Sequence, residues 1–200
     1  MARPARWKER RKEILETAIK VVEDVGLQDF GIPQVAAEMR LTPNAIRYYF
    51  ADTEELLRAL AALSDDRFLA RRRELIASKK TYSQKLNALL EAGLPSGVED
   101  YEWRVIWRAV LATDFQLDKA PEVEGIFHRQ RELYEEVIAA GAAAGEFDLR
   151  TSAAEAAMTL MSLEDYLGYR IVARDRSIDR DTALQLMRSY ILVVTQTSIA

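Results

Sequence analysis

The sequence of 200 residues contains no cysteine, one histidine, 8 glycines and 5 prolines. Without cysteine, disulfides, thiol catalysis and cysteine-ligated metal sites are excluded. The scarcity of glycine and proline, beside abundant Ala, Leu, Glu and Arg, favours an all-α protein. No apolar run is long enough to span a bilayer, and no apolar core follows the basic N-terminus as in a signal peptide. We therefore expect a cytoplasmic protein without a membrane partner.

Motifs of catalysis and cofactor binding are also missing. The sequence has no phosphate-binding glycine loop, zinc-spacing motif or nucleophile elbow. The single histidine, His128, has no catalytic partner nearby in the sequence. We therefore expect no catalytic residues, no metal and no cofactor. An enzyme on a helical scaffold stays open as an alternative, which would require turnover that is lost when His128 or a pocket carboxylate is replaced.

The stretch IPQVAAEMRLTPNAIRYYF, residues 32–50, predicts two short helices joined by a tight turn. Pro33 suits the first turn of the first helix, and Thr42 is a good N-cap for the second. Ile46 and Phe50 then face the first helix. The outer face of the second helix carries an amide, a guanidinium and a phenol, which suit base edges and phosphates. This arrangement is typical of a helix-turn-helix, whose second helix enters the major groove of DNA.

From this pattern we predict the residues that bind DNA. Candidates for base or adjacent backbone contacts are Asn44, Arg47 and Tyr48, with Ala45 on the same outer face. Candidates for phosphate contacts are Gln34, Thr42 and Tyr49.

The charge distribution supports this hypothesis better than the net charge of -4 does. Residues 1–12 contain six basic residues and one acidic residue. A basic arm beside a helix-turn-helix is expected to contact phosphate or the minor groove. The alternative is a solvated terminus.

Residues from about Arg11 to Leu63 resemble the N-terminal domain of the tetracycline-repressor (TetR) family of bacterial transcription regulators. The matching landmarks are ILETAIKVVEDVG, VAAEMRLTPNAIRYYF and FADTEELL. The chain departs from the family where Arg40 stands at a turn position that is commonly glycine, and where Arg47 replaces a common aromatic. The resemblance implies a ligand-responsive, dimeric regulator, with repression the favoured mode. A small-molecule effector would release it from a palindromic operator of double-stranded DNA.

We predict about nine helices in two domains. Residues 1–52 would form the DNA-binding domain with its basic arm, and residues 53–200 the ligand-binding and dimerisation domain. The first helix of the second domain would connect the two. The alternative is a helical ligand-binding or protein-interaction module without specific DNA binding. Retention on DNA that does not change with salt concentration would favour this alternative.

The middle helices suggest an apolar cavity with a few polar groups. Its predicted lining is Trp103, Trp107, Phe127, Arg131, Tyr134, Met161 and Asp165. Ordinary core packing is the alternative for each aromatic, and a solvated face or an ion pair with Glu135 is the alternative for Arg131. Residues 145–172 are similar to the betaine-regulator-like branch of the family, where an aspartate precedes a glycine–leucine pair. Here the sequence is Asp165-Tyr166-Leu167.

The last two helices carry apolar residues on more than one face, which requires burial on more than one side. The resemblance implies that they pair with a second subunit as a four-helix bundle, in a homodimer. The predicted interface residues are Ala154, Ala157, Leu184, Met187, Ile191 and Val194. A core formed wholly within one chain is the alternative.

Overall fold

The computed structural model describes residues 3–114 and 116–199, without the side chains of Arg3 and Pro4. In these residues the regular structure consists of nine α-helices and one short 3₁₀ helix, Leu117–Lys119. The helices are α1 (Arg3–Asp29), α2 (Ile32–Glu38), α3 (Pro43–Arg47), α4 (Thr53–Ala77), α5 (Tyr82–Gly93), α6 (Tyr101–Leu111), α7 (Pro121–Ala143), α8 (Ala153–Val172) and α9 (Arg180–Thr195). The prediction of an all-α protein with about nine helices is confirmed.

The chain divides into two compact units. The first comprises Met1–Asp65 and Arg104–Val123, and the second comprises Asp66–Trp103 and Glu124–Ala200. The first turns of α4 thus pack with α1–α3. The predicted domain boundary after residue 52 stays a prediction.

Polar side chains at the starts of the helices explain where several of them begin. Asp52 accepts a hydrogen bond from the Glu55 N–H at 2.7 Å, ahead of α4. Ser152 and Glu155 form a reciprocal capping box at α8, and Asp179 accepts from the Thr182 N–H at 2.8 Å at α9. Each bond satisfies an N–H that has no partner within the helix.

The first unit has a small core formed by one face of α1 and the facing sides of α2–α4. The α1 residues in it are Ile14, Ala18, Val21 and Val22. Helical geometry in α1 is interrupted at Gly26, which has φ 76° and ψ 166°. Because glycine has no Cβ, it adopts this backbone conformation more readily than other residues. The break turns the chain towards α2.

The second unit has a larger apolar core, to which α4, α5, α7, α8 and α9 contribute. Its fully buried members include Leu86, Leu89, Leu133, Ile138 and Leu160. This core buries one side of α8 and α9 and leaves their other side exposed.

Candidate nucleic-acid interface

The turn between α2 and α3 has the hydrogen bonds of a Schellman motif. The Leu41 N–H donates to the Ala36 carbonyl at 2.8 Å, and the Arg40 N–H donates to the Ala37 carbonyl at 3.0 Å. Such a motif places its central residue in the left-handed region, and Arg40 has φ 54°. An arginine therefore holds the position that favours glycine, and the helix pair keeps its tight turn.

Helix α3 is fixed from both ends. The Thr42 side chain accepts a hydrogen bond from the Ala45 N–H at 3.3 Å, and Pro43 occupies the first helical turn. Ile46 and Phe50 are fully buried. These constraints turn the remaining side of α3 towards solvent.

The exposed side of α3 carries Asn44, Arg47 and Tyr48. Tyr48 is the most prominent apolar group here, with 66% of its surface exposed. The Arg47 guanidinium donates to the Asn44 side-chain oxygen at 3.1 Å. The predicted base-contact residues therefore lie together on one accessible surface, which we call the α3 outer face.

The other predicted DNA contacts surround this face with differing exposure. Gln34 and Thr42 are exposed, whereas Ala45 and Tyr49 are half-buried. The Tyr49 ring lies edge-on to Tyr48, with 5.0 Å between ring centroids. Tyr49 therefore supports Tyr48 as well as reaching the surface.

Arg11 from the basic arm has a structural role. Its guanidinium donates to the Tyr49 carbonyl and pairs with Glu55 at 3.1 Å. It also lies over the Phe50 ring, 4.0 Å from the centroid. Arg11 therefore ties α1 to the residues after α3. In the arm, Arg6 and Lys8 are exposed, and the side chain of Arg3 lies outside the described residues.

The second unit contains a buried polar cluster in its apolar core. Arg72 pairs with Glu164 at 3.1 Å, and neither side chain is exposed. Arg72 also donates to the Gln130 side chain at 3.1 Å and to the Leu89 carbonyl at 3.2 Å. Arg72 belongs to a basic run near the end of α4, but it lies on the side of α4 that faces the core.

Tyr134 belongs to the same cluster. It is fully buried, and its hydroxyl donates to the Glu164 carboxylate. Burial, together with the Glu164 charge, holds the pKa of Tyr134 well above its usual value. The hydroxyl predicted to contact a ligand is therefore already satisfied within the chain.

Three of the predicted ligand residues, Met161, Asp165 and Trp103, are associated with one face of α8. Met161 and Asp165 lie on this face together with Gly168, and the Trp103 ring packs directly on the Gly168 backbone. The Trp103 indole N–H donates to the Gly93 carbonyl at 3.0 Å. Burial raises the pKa of Asp165 to about 8, and the Glu164 charge adds to this rise while Arg72 opposes it. A cationic partner would therefore stabilise the ionised form of the Asp165 carboxyl.

The remaining predicted ligand residues do not join this group. Trp107 belongs to the first unit, and Phe127 is half-buried on α7. Arg131 lines a shallow surface depression on α7 together with Glu132 and Glu135. For Arg131, this setting matches the alternative of a solvated face.

The second unit also has an open cavity of about 700 Å³ that the sequence did not reveal. Its lining is Phe68, Arg71, Glu91, Ala92, Leu94, Ser96, Gly97, Glu99, Asp100, Tyr101, Glu102 and Arg180. None of the predicted ligand residues is among them. Phe68 and Arg71 lie within α4, and the other lining residues come from helix ends and from the loop between α5 and α6, where periodicity carries no signal.

The predicted interface residues of α8 and α9 lie mostly on the inward side of these helices, and their role in an interface stays a prediction. Five of the six are buried in the chain's own core: Ala157, Leu184, Met187, Ile191 and Val194. The sixth, Ala154, is half-buried. The opposite side of the two helices exposes Met158, Tyr166, Tyr169, Leu186, Leu192 and Val193. Both sides are apolar, and periodicity alone does not tell which one faces the chain's own core.

The part of the chain that the structure describes contains neither a cluster of metal-ligating side chains nor a membrane-spanning helix. No group of three or more His, Cys, Asp or Glu side chains there is arranged to hold a metal ion. None of the helices described is long and apolar enough to cross a membrane.

Comparison with known proteins finds similarity in the first unit. Residues 14–60 match the model of the bacterial regulatory proteins of the tetR family. The HTH-type transcriptional regulator BetI of Serratia proteamaculans is 26% identical over 201 residues, covering 91% of this chain and 90% of that protein.

Solved structures match over nearly the whole chain. A protein from Saccharomonospora viridis solved in complex with choline has a TM-score of 0.74 at 22% identity, covering 92% of this chain and 96% of that chain. The transcriptional regulator FadR from Bacillus subtilis, in complex with stearoyl-CoA, has a TM-score of 0.69 at 19% identity, covering 92% and 97%.

In the described residues, the nine α-helices and the α3 outer face define an all-α helix-turn-helix protein. Within that class, residues 14–60 match the tetR family of regulatory proteins, and the chain as a whole is similar to the BetI relative.

Proposed function

We propose that this chain is a ligand-responsive transcriptional repressor that binds a palindromic operator as a homodimer. The α3 outer face carries the proposal, because Asn44, Arg47 and Tyr48 are exposed side by side on a helix that is anchored from behind. A helix presented in this way fits the major groove. The exposed Gln34 and Thr42 are suited to phosphate contacts that set its register.

The second copy required by a palindrome would pack on the exposed side of α8 and α9. That side displays six large apolar side chains, with Val193 69% exposed. A contiguous apolar surface of this kind on a helix pair favours association. Two-fold pairing would bring two α3 helices to successive major grooves, about 34–36 Å apart.

We infer that the effector is a small organic cation bound at Asp165. The carboxyl is half-buried, and its pKa of about 8 reflects an unfavourable charge that a cation would stabilise. The Trp103 ring packs on the same face of α8, at Gly168, and aromatic rings attract cations. The resemblance of residues 145–172 to the betaine-regulator-like branch and the choline bound to the Saccharomonospora protein agree with this class.

The effector hypothesis is tested by calorimetric titration of the full chain with choline. The control ligand is its uncharged tert-butyl analogue, in which carbon replaces the quaternary nitrogen. We expect choline alone to bind, with an affinity that rises with pH up to about 8, where Asp165 becomes ionised. Asp165→Asn should abolish binding, and replacement of the exposed Asp181 by Asn should leave it unchanged. Equal binding of both ligands would contradict a cation site.

DNA binding is tested by quantitative footprinting on the DNA that flanks the gene, at moderate salt with excess non-specific competitor. A protected region with two-fold symmetry supports the proposal. Binding that occurs only at low salt and on any sequence would indicate phosphate attraction alone and would contradict it.

A further inference from the structure

One large aromatic side chain of the basic arm belongs neither to the apolar core nor to the predicted DNA contacts. Trp7 lies in the second turn of α1, and 38% of its surface is exposed. The core of the first unit begins further along the helix, at Ile14. The role of Trp7 is therefore defined by the side chains that it contacts.

Trp7 is the first of three aromatic rings that contact one another in turn. Its ring lies 6.1 Å from the Tyr49 ring, centroid to centroid, with 35° between the ring planes. Tyr49 in turn contacts Tyr48 edge-on, with 5.0 Å between centroids. Both separations fall in the range of roughly 4.5–7 Å over which aromatic rings attract each other. The three rings, which we call the aromatic ladder, lead from α1 to the α3 outer face.

The α1 end of the aromatic ladder is fixed by Arg11, one helical turn after Trp7. The Arg11 guanidinium lies 5.0 Å from the centroid of the Trp7 ring and 4.0 Å from that of Phe50, which is fully buried. A guanidinium over an aromatic ring is attracted to it. Arg11 is held in place by its bond to the Tyr49 carbonyl and by its ion pair with Glu55. Trp7 therefore packs on an anchored base.

The other end of the aromatic ladder is Tyr48, a candidate for base or adjacent backbone contact. With 66% of its surface exposed, Tyr48 receives little support from the core. Ordering a free side chain at an interface costs binding free energy. A side chain that is already held in its bound rotamer avoids much of this cost. The ring of Tyr49 holds Tyr48, and the ring of Trp7 holds Tyr49 from its other neighbour.

We propose that Trp7 is a positioning residue for DNA recognition, which acts through Tyr49 to hold Tyr48 in the rotamer that meets the operator. This inference rests on the proposed DNA binding. The contribution of Trp7 is preorganisation of Tyr48. It therefore strengthens binding to the operator and leaves the general attraction to phosphates unchanged.

The test is a double-mutant cycle between Trp7 and Tyr48, measured as the affinity of the full-length protein for its operator. The operator is the sequence that the wild type enriches from a randomised DNA library. Trp7→Ala should weaken operator binding by about two- to tenfold, the range of one aromatic contact, and leave binding to unrelated DNA unchanged. In a Tyr48→Ala background the same substitution should have no effect, because the side chain that Trp7 positions is gone. All proteins are compared at one salt concentration, low enough for Tyr48→Ala to bind measurably.

Two controls separate positioning from a structural role. Trp7→Phe keeps an aromatic ring and should retain most of the operator affinity. Gln34→Ala is the matched background, because Gln34 is an exposed candidate for DNA contact outside the aromatic ladder. There Trp7→Ala should cause its full loss. Circular dichroism at the temperature of the titration checks that each variant is folded.

The results that would overturn the inference differ from the one that would overturn DNA binding. An equal loss from Trp7→Ala with and without Tyr48, or an equal loss on operator and unrelated DNA, would mean that Trp7 orders the basic arm or the fold. An undiminished affinity of Trp7→Ala would also contradict the inference, and in each of these cases DNA binding stands. If the wild type enriches no sequence over competitor, the proposed function fails and the inference fails with it.

Discussion

Arg72 and Glu164 form an ion pair in the interior of the second unit, with 3.1 Å between Nη1 and Oε1 and no exposure of either side chain. The Glu164 carboxylate also lies so close to Gly93 that a Cβ there would meet Oε2 at 1.9 Å. Gly93 is thus a position where the missing side chain makes room for the pair. The cluster connects four helices, α4, α5, α7 and α8, through hydrogen bonds in addition to the apolar contacts of the core.

Removing one partner of this pair should destabilise the protein strongly, because the other charge stays buried without compensation. We expect Arg72→Met and Glu164→Leu each to lower the free energy of unfolding by about 3–5 kcal/mol. The double variant should lose much less than the sum of the two. Urea denaturation of the three variants measures this, and strictly additive losses below about 1 kcal/mol would show that the pair is not buried as described.

Asp165 predicts a dependence of stability on pH. Its pKa is about 8 in the folded chain and near 3.8 when unperturbed. Between these values the folded state retains a proton that the unfolded state has lost, so stability should fall as pH rises, by up to about 1.4 kcal/mol per unit. The loss of stability caused by ionisation of Asp165 is complete above about pH 8 and absent below about pH 4.

The matched variant for this prediction is Asp165→Asn, which cannot ionise. Thermal unfolding of both proteins should show similar stability near pH 4 and an advantage of the variant that grows towards pH 8. Parallel curves across this range would show that Asp165 titrates normally.

Arg40 predicts a stabilising substitution. With φ 54°, the Arg40 backbone lies in the left-handed region. There the Cβ atom crowds the following carbonyl oxygen, which costs roughly 1–2 kcal/mol for residues other than glycine. Arg40→Gly should therefore raise the free energy of unfolding by up to about 1 kcal/mol, since the more flexible unfolded chain offsets part of the gain. Arg40→Ala is the control, because it removes the side chain and keeps the strain. A gain in the alanine variant equal to that in the glycine variant would contradict the backbone explanation.

If the exposed side of α8 and α9 forms the subunit interface, a charge placed there should dissociate the homodimer. Val193→Glu places a charge in the apolar surface, so we expect a folded monomer by analytical ultracentrifugation. Val25→Glu is the control, because Val25 is an exposed valine on α1 in the first unit. It should leave the oligomer intact. An unchanged oligomer in Val193→Glu would place the interface elsewhere.

Much of the first unit was predictable because its signals are local. Caps, prolines and apolar periodicity marked α2 and α3, and the buried Ile46 and Phe50 follow from that register. The exposure of Asn44, Arg47 and Tyr48 followed in turn. The bond between Asn44 and Arg47 depends on side-chain rotamers, which residue spacing does not specify.

The second unit was less predictable because its main features depend on contacts between residues distant in sequence. Arg72 stands in a basic run and looks solvated, yet its partner Glu164 lies 92 residues away. In α8 and α9 both sides of each helix are apolar, so the choice of the inward side had no local signal. Small residues beside a large one, such as Gly168 below Trp103, indicate close packing only once the partner is known.

The most direct test of DNA recognition by the α3 outer face is a binding titration on the DNA flanking the gene. Wild type and Arg47→Ala are compared at one moderate salt concentration with excess competitor. We expect a discrete site of two-fold symmetry, bound more weakly by the variant by about 1–3 kcal/mol. Equal binding by both proteins, or binding without sequence preference, would contradict recognition through this face.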